Sequence, residues 1–385
     1  MLGSVNRQFG ALEGPRKAKA FSAVAVAAVL LATLWPLNPF PRNGVTWLRG
    51  TSGLRFARAS LVVSEEVVEP LEGNGSQSYT LELLLRPASM KSLRTILAFY
   101  SPARTQQFQV WQWGNGLLVT HDANVESDET QAIKFDIDHV FHPGKLVLIA
   151  VSSGRNGTTV YLDGQPAQSF PRFEISSNEL LGEIVLGTSP VRSDPWNGEM
   201  KGFAIYAKEL TPREAFEHYR SWTDLNSRPA DLDAALARYT FKEGAGTEIH
   251  NEVTSGPNLR IPANFSVPHK EFLQSPVQEF RASWKYAHEL AANIAGFVPL
   301  GLVICSYLAW TRTRGKAILI TTSFCGMLSL TIEVLQYYIP ARGSGITDIM
   351  TNTLGAALGA VLVQSSLVRG PMQRIGLIPT DQCAT

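Results

Sequence analysis

Cysteine is nearly missing from this chain: there are three in 385 residues, the first at Cys305. The long middle of the sequence therefore cannot carry a disulfide framework or a cysteine-built metal site. More than 200 residues can bury enough core to do without either, so an oxidising compartment is still compatible. Charge is also scarce. Only 17% of residues are charged, the formal net charge is +1, and no basic patch is dense enough to read as a nucleic-acid footprint. No nucleophile elbow, zinc-binding helix or phosphate-cradling glycine loop occurs, which points away from an enzyme built on those devices.

What is abundant is apolar sequence, 45% of the chain, and it is unevenly placed. Four stretches are almost free of charge: Phe21 to Leu37, Leu290 to Trp310, Ala317 to Ile339 and Ile346 to Val368. A hydrocarbon core of ~30 Å takes roughly 20 helical residues to cross. The last three stretches meet that length, and the first does so when extended through Asn38-Pro39-Phe40. A cleaved signal peptide competes for the first stretch, but it ends in Trp-Pro-Leu-Asn-Pro-Phe-Pro-Arg, where a small-x-small site would be expected.

The expected order is a cytoplasmic segment (1–20), a transmembrane helix (21–40), an outer domain (43–276), a helical bundle (284–368, with helices near 290–310, 317–339 and 346–368) and a cytoplasmic tail (369–385). Basic residues gather before the first helix (Arg7, Arg16, Lys17, Lys19), between the second and third (Arg312, Arg314, Lys316) and after the fourth (Arg369, Arg374). All three sites fall on one side, so the positive-inside rule puts both termini in the cytoplasm and the middle region outside. Arg42, Arg281, Lys285 and Arg342 weaken the contrast.

The middle region alternates with period two, as in Tyr79 to Arg86 and Phe108 to Trp113. Further strands are expected at Lys145 to Val151, Thr158 to Leu162, Glu183 to Leu186 and Gly202 to Tyr206, with turns at Gly114-Asn115-Gly116, Arg155-Asn156-Gly157 and Asp163-Gly164. One short helix is expected near Thr211 to Tyr219. Many short strands with little helix specify an all-β sandwich or jelly roll. Trp111, Trp113 and Trp196 are candidate sugar-stacking platforms, against the competing reading that aromatics at alternating strand positions form core. The acidic residues Asp122, Glu126, Asp128, Asp136, Asp138 and Asp194 form no loop of calcium ligands, so no metal or other cofactor is expected. The sequons at Asn74, Asn156 and Asn264 mark exposed loops at most.

Polar residues inside the apolar helices carry the sharper signal, because each costs roughly 2 to 7 kcal/mol if left unpaired in an apolar medium. Asn293 and Gly296 share a face, as do Glu333 and Gln336. Asp348, Asn352, Gly355 and Gly359 form one stripe. Pro299 permits a kink, and Gly296, Gly301, Gly355 and Gly359 supply small surfaces for helix packing. Asn293, Glu333, Gln336, Arg342, Asp348 and Asn352 are expected to form a polar cluster at the outer end of the bundle. Arg342 would pair with a lipid phosphate if the cluster binds a ligand, and the groups would merely satisfy one another if it does not. A catalytic alternative pairs Glu333 with Asp348 and uses His288 or Glu289 as a base.

Two resemblances follow from these residues. Leu146 to Ala150, Thr159 to Gly164 and Trp196 to Tyr206 resemble the central hairpin and closing strand of laminin-G and concanavalin A-like domains, over roughly Gly53 to Trp222. That likeness implies carbohydrate binding, with calcium as a family option. Asn293 to Gly301, Glu333 to Gln336, and Arg342 through Thr347-Asp348-Ile349 to Gly355 resemble the VanZ-like family, named for an accessory protein of glycopeptide-antibiotic resistance. Thr33-Leu34-Trp35-Pro36 looks like the end of its opening helix, which makes the sandwich an insertion in the first outer loop. The implied function is a cell-envelope membrane protein that binds a glycan, a peptidoglycan fragment or another envelope component. The alternative is an enzyme or carrier acting on a lipid-linked precursor.

Overall fold

A computed structural model describes residues 2–66, 78–90, 93–121, 133–224, 231–253, 256–280 and 282–379, with the side chains of 2–12, 106 and 278 left aside. Asn74, Asp122, Glu126, Asp128, Arg281 and Cys383 lie outside the described residues. The chain divides into two compact units, one of residues 1–39 with 271–385 and the other of residues 40–270.

The first unit opens with α1 (Leu2–Leu34). The second holds β1 (Thr46–Trp47), β2 (Leu54–Phe56), β3 (Val62–Ser64), β4 (Tyr79–Pro87), β5 (Leu93–Ser101), β6 (Arg104–Trp113), β7 (Gly116–His121), β8 (Ile133–Ile137), β9 (Val147–Gly154), β10 (Gly157–Leu162), β11 (Gln165–Phe170), β12 (Glu183–Leu186), β13 (Gly198–Tyr206), helix α2 (Pro212–Thr223), β14 (Ala235–Tyr239), β15 (Glu248–Ile249) and β16 (Leu259–Arg260). One antiparallel sheet runs β1-β2-β13-β4-β9-β10-β11, with β14 also on β13. The other runs β15-β16-β3-β12-β5-β6-β7-β8. Their inner faces enclose a single core that includes Leu83, Phe99, Phe108, Ile149, Trp196 and Phe203, as expected of two half-buried sheets packed face to face.

Local chemistry explains the connections. Asp163 and Gly164 both take positive φ (51° and 76°), the conformation a two-residue hairpin turn needs to match strand twist. The Asp163 carboxylate also accepts from the Leu148 amide at 2.9 Å. Helix α2 begins at a capping box in which Thr211 and Glu214 each accept from the other's backbone amide, with Pro212 in the first turn. Ala235–Tyr239 pairs with β13, whereas Lys242 to Gly246 make no strand, because Gly244 and Gly246 take positive φ (71° and 90°).

The first unit resumes with α3 (Pro276–Glu279), α4 (Trp284–Leu308), α5 (Arg314–Tyr337), α6 (Ile346–Leu362) and α7 (Ser366–Arg374). Residues 13–34 of α1, all of α4 and all of α5 are long and apolar enough to span a membrane, and α6 with α7 qualifies only as a broken pair bent by 73°. The single straight helix expected over 346–368 is therefore two. At helical rise the 17 residues of α6 cover about 25 Å. The chain turns where Gln364, Ser365 and Ser366 interrupt the apolar run and Ser365 takes extended geometry as the cap of α7.

Helices α4 and α6 meet along glycine. A Cβ at Gly355 would collide with the Ile294 carbonyl, one at Gly359 with the Val298 carbonyl, and one at Gly301 with the Ala356 carbonyl. This is the close backbone approach that small residues allow between membrane helices. Gly296 differs from that expectation: no atom lies within 4 Å of a Cβ built there, because it faces a cavity rather than a helix.

Candidate functional sites

That cavity, about 380 Å³ and open on one side, is bordered by α1, α4, α5 and α6. Its wall carries Asn293, Glu333, Gln336, Asp348 and Asn352, with Gly296 and Pro299 among the remaining lining. Helical spacing explains the convergence, since each helix turns the face bearing its polar residues toward the same space.

Each polar group is held. Asn293 Nδ2 donates to Asp348 Oδ1 at 2.7 Å. Glu333, 1% exposed, accepts from the Gly345 amide at 2.9 Å, and Gln336 Nε2 donates to the Thr33 carbonyl at 2.8 Å. Asn352 Nδ2 donates to Ser329 Oγ at 2.9 Å. Glu279 adds a carboxylate at the start of α6, accepting from the Thr347 amide at 3.2 Å, where a helix N-terminus favours negative charge.

Arg342 departs from its expected place. Its Nε and Nη2 donate to the Trp35 carbonyl at 3.1 and 2.5 Å, and it is not part of the cavity wall. The guanidinium satisfies carbonyls at the C-terminal end of α1, which a helix leaves unpaired. The cavity thus presents two carboxylates and three carboxamides. His288 is exposed, and exposed Glu289 lies 3.8 Å from Lys285. Neither is part of the cavity lining.

In the second unit, the three tryptophans separate. Trp196 is fully buried, tilted against Phe56 with ring centroids 5.7 Å apart, and its Nε1 donates to Gln112 Oε1 at 2.8 Å. It is core and cannot stack on a sugar. Trp111 and Trp113 point to the opposite face of β6 from the core residues Phe108 and Val110. Trp111 is only 7% exposed, because the Arg192 guanidinium lies 4.9 Å from its ring centroid. Trp113 is 58% exposed.

Strand register extends this outward face. Trp111 pairs with Leu118 and Leu118 with Asp136, while Gln109 pairs with Thr120 and Thr120 with Lys134. Trp111 Nε1 donates to Thr120 Oγ1 at 3.2 Å. Asp194 anchors the neighbouring loop, accepting from the Ser189 amide at 2.6 Å and from Thr95 Oγ1 at 2.8 Å. Burial pushes its carboxyl up, against the lowering effect of those bonds and of Arg192. Asp136 and Asp138 join no group of three or more metal-binding side chains, and the described residues contain no such group.

A buried network under α2 has no signature in the sequence. His218 Nδ1 lies 2.8 Å from Glu82 Oε1 and its Nε2 lies 3.2 Å from Asp231 Oδ2. Trp222 Nε1 donates to the other Glu82 oxygen at 2.7 Å, and Lys208 bridges Glu214 and Asp231 at 2.7 Å each. Burial alone would lower the His218 pKa, but its bonds to Glu82 and Asp231 carry it above the usual histidine value. No pattern in the sequence links residues so far apart along the chain.

Comparison with known proteins agrees with both halves. Residues 236–368 match the VanZ/LLP1 family, and residues 64–215 match the concanavalin A-like lectin/glucanase superfamily. The first match starts in β14 and does not reach α1. No curated protein matches the chain. Among solved structures, the binding domain of botulinum neurotoxin DC in complex with SialylT is similar at 16% identity, covering 47% of this chain and 45% of that one, with a TM-score of 0.38. A heptameric SAP-like pentraxin from Limulus polyphemus is similar at 11% identity, covering 58% of this chain and 93% of that one, with a TM-score of 0.36. The chain spans less than half the length of the neurotoxin structure it matches. Residues 64–215 thus match a concanavalin A-like domain and residues 236–368 a VanZ-like one, in a chain with three helices, or four if the bent pair is one span, long and apolar enough to cross a membrane.

Proposed function

We propose that this protein is a membrane-anchored glycan-recognition protein of the cell envelope, binding through the outward face of β6, β7 and β8. The observation that carries the reading is the pair Trp113 and Trp111 on that face, one open and one capped by a guanidinium. An exposed indole offers an apolar platform for a sugar ring. Thr120, Lys134 and Asp136 on the same face offer a hydroxyl, a cation and a carboxylate for sugar hydroxyls. Membership of a lectin and glucanase superfamily supports the same class of ligand.

The orientation that suits this role has both termini in the cytoplasm and the sandwich outside. It is supported by Lys17, Lys19, Arg312, Arg314, Lys316, Arg369 and Arg374, which cluster around the ends of helices on one side of the charge-free spans. A screen of the full chain in detergent against glycans and peptidoglycan fragments tests the proposal. Saturable binding lost in Trp113→Ala supports it, and binding unchanged in that variant sinks the site.

The bundle cavity favours a second reading, a carrier or enzyme for a lipid-linked envelope precursor. With Arg342 bonded to α1, the wall suits hydroxyl or amine groups better than phosphate. Filling the cavity through Gly296→Leu should abolish function in this reading and leave glycan binding by the sandwich intact in the first.

A further inference from the structure

A second hollow in the bundle, about 520 Å³, lies on another side of α1, between it, α4 and α5. Its wall is apolar almost throughout, including Ala23, Ala27 and Leu30 of α1, Ile304 of α4, and Ile320 and Phe324 of α5. From Lys19 to Leu30 the helical rise amounts to about 16 Å, close to half of a ~30 Å hydrocarbon core. The hollow is as tall as one leaflet.

Its polar end is cationic. Lys19 lines it and precedes Ala23 and Ala27 at four-residue intervals. On α5, Lys316 precedes Ile320 and Phe324 at the same intervals. Four-residue spacing keeps side chains on one face of a helix, so each helix ends its groove-facing stripe with a lysine. Both lysines are exposed, and among the described residues neither forms an ion pair within 4 Å, whereas nearby Lys17 does so with Glu13. Ser22 Oγ, bonded at 2.9 Å to the Ala18 carbonyl and 3.4 Å from that of Val303, closes the seam between α1 and α4 beside this end.

We propose that this groove holds one acyl chain of an anionic phospholipid, its phosphate seated between Lys19 and Lys316. An apolar slot one leaflet tall needs a hydrocarbon chain to fill it. Two ammonium groups at its mouth select a headgroup of net negative charge over a zwitterionic one. The lipid completes the contact of α1 with α5, which protein atoms leave open here.

The test uses the full chain in detergent with added phosphatidylglycerol or phosphatidylcholine, read by native mass spectrometry and thermal unfolding. Phosphatidylglycerol is expected to be retained at one copy and to raise the midpoint by several degrees more than phosphatidylcholine. Lys19→Gln with Lys316→Gln should erase that preference, and Ala27→Trp should displace either lipid. Two outcomes overturn the proposal: equal stabilisation by the two lipids in the unaltered protein, or a preference that survives the double lysine change. Gel filtration of each variant separates a lost site from a lost fold, and Lys19→Arg with Lys316→Arg, which keeps the charge, should keep the preference.

Discussion

Gly355 on α6 rests against the carbonyl of Ile294 on α4, leaving no room for a side chain. One turn along the same helix, Gly359 meets Val298 in the same way. This seam sets the spacing of the helices that bear Asn293 and Asp348, whose side chains bond at 2.7 Å. Replacing Gly355 by Val should force the helices apart at a cost of about 1 to 3 kcal/mol, as overpacking usually does. Gly296→Ala, with open space around it, should be neutral or stabilising by up to ~1 kcal/mol from helix propensity. Unfolding of both variants in one detergent checks the contrast.

The tryptophans predict opposite phenotypes. Trp196→Ala removes a fully buried ring and should cost roughly 3 to 5 kcal/mol, in the range of large aromatic truncations. Trp113→Ala removes a ring already 58% exposed and should leave the melting temperature within a degree or two while weakening glycan binding. A melting curve and a binding isotherm on each variant suffice.

Stability of the sandwich should depend on pH from both sides. Hydrogen bonds from Lys208 and Thr211 hold Glu214 down to about 2, against the slight opposing effect of burial. The Lys208 bond also lowers Asp231. These contributions are complete above the ordinary carboxylate values and fade as pH falls through the depressed ones. His218, raised overall despite its burial, contributes fully below its unfolded value near 6.5 and less as pH rises through its folded value. Stability from these groups should therefore peak between about pH 4.5 and 6.5. In His218→Gln the decline on the alkaline side should flatten, and in Glu214→Gln that on the acid side, when melting is followed by tryptophan fluorescence.

Arg342→Gln should act on α1. Loss of the bonds to the Trp35 carbonyl removes a cation from a helix C-terminus, a change of about 0.3 to 1 kcal/mol. Proteolysis near residues 35–40 should accelerate, and occupancy of the cavity by any ligand should change little. A complete loss of ligand binding in a normally folded variant would return Arg342 to the cavity.

Much of this architecture was legible in the amino acids alone, because the signals are local. Charge-free runs of helical length mark the spans, alternation in Tyr79 to Arg86 and Phe108 to Trp113 marks strands, and Asp163-Gly164 marks a hairpin turn through its positive φ. The stripes that bring Asn293, Glu333, Gln336, Asp348 and Asn352 to one cavity could be read from helical spacing. Tertiary structure decided what depends on partners distant in sequence. Arg342 serves the carbonyls of α1, some 300 residues earlier. Trp196 enters the core and Trp111 is capped by Arg192, while Trp113 on the same strand face stays open. Gly296 borders space although its relatives in the seam touch backbone. Periodicity determines which face of an element a residue occupies, but only packing determines what stands opposite that face.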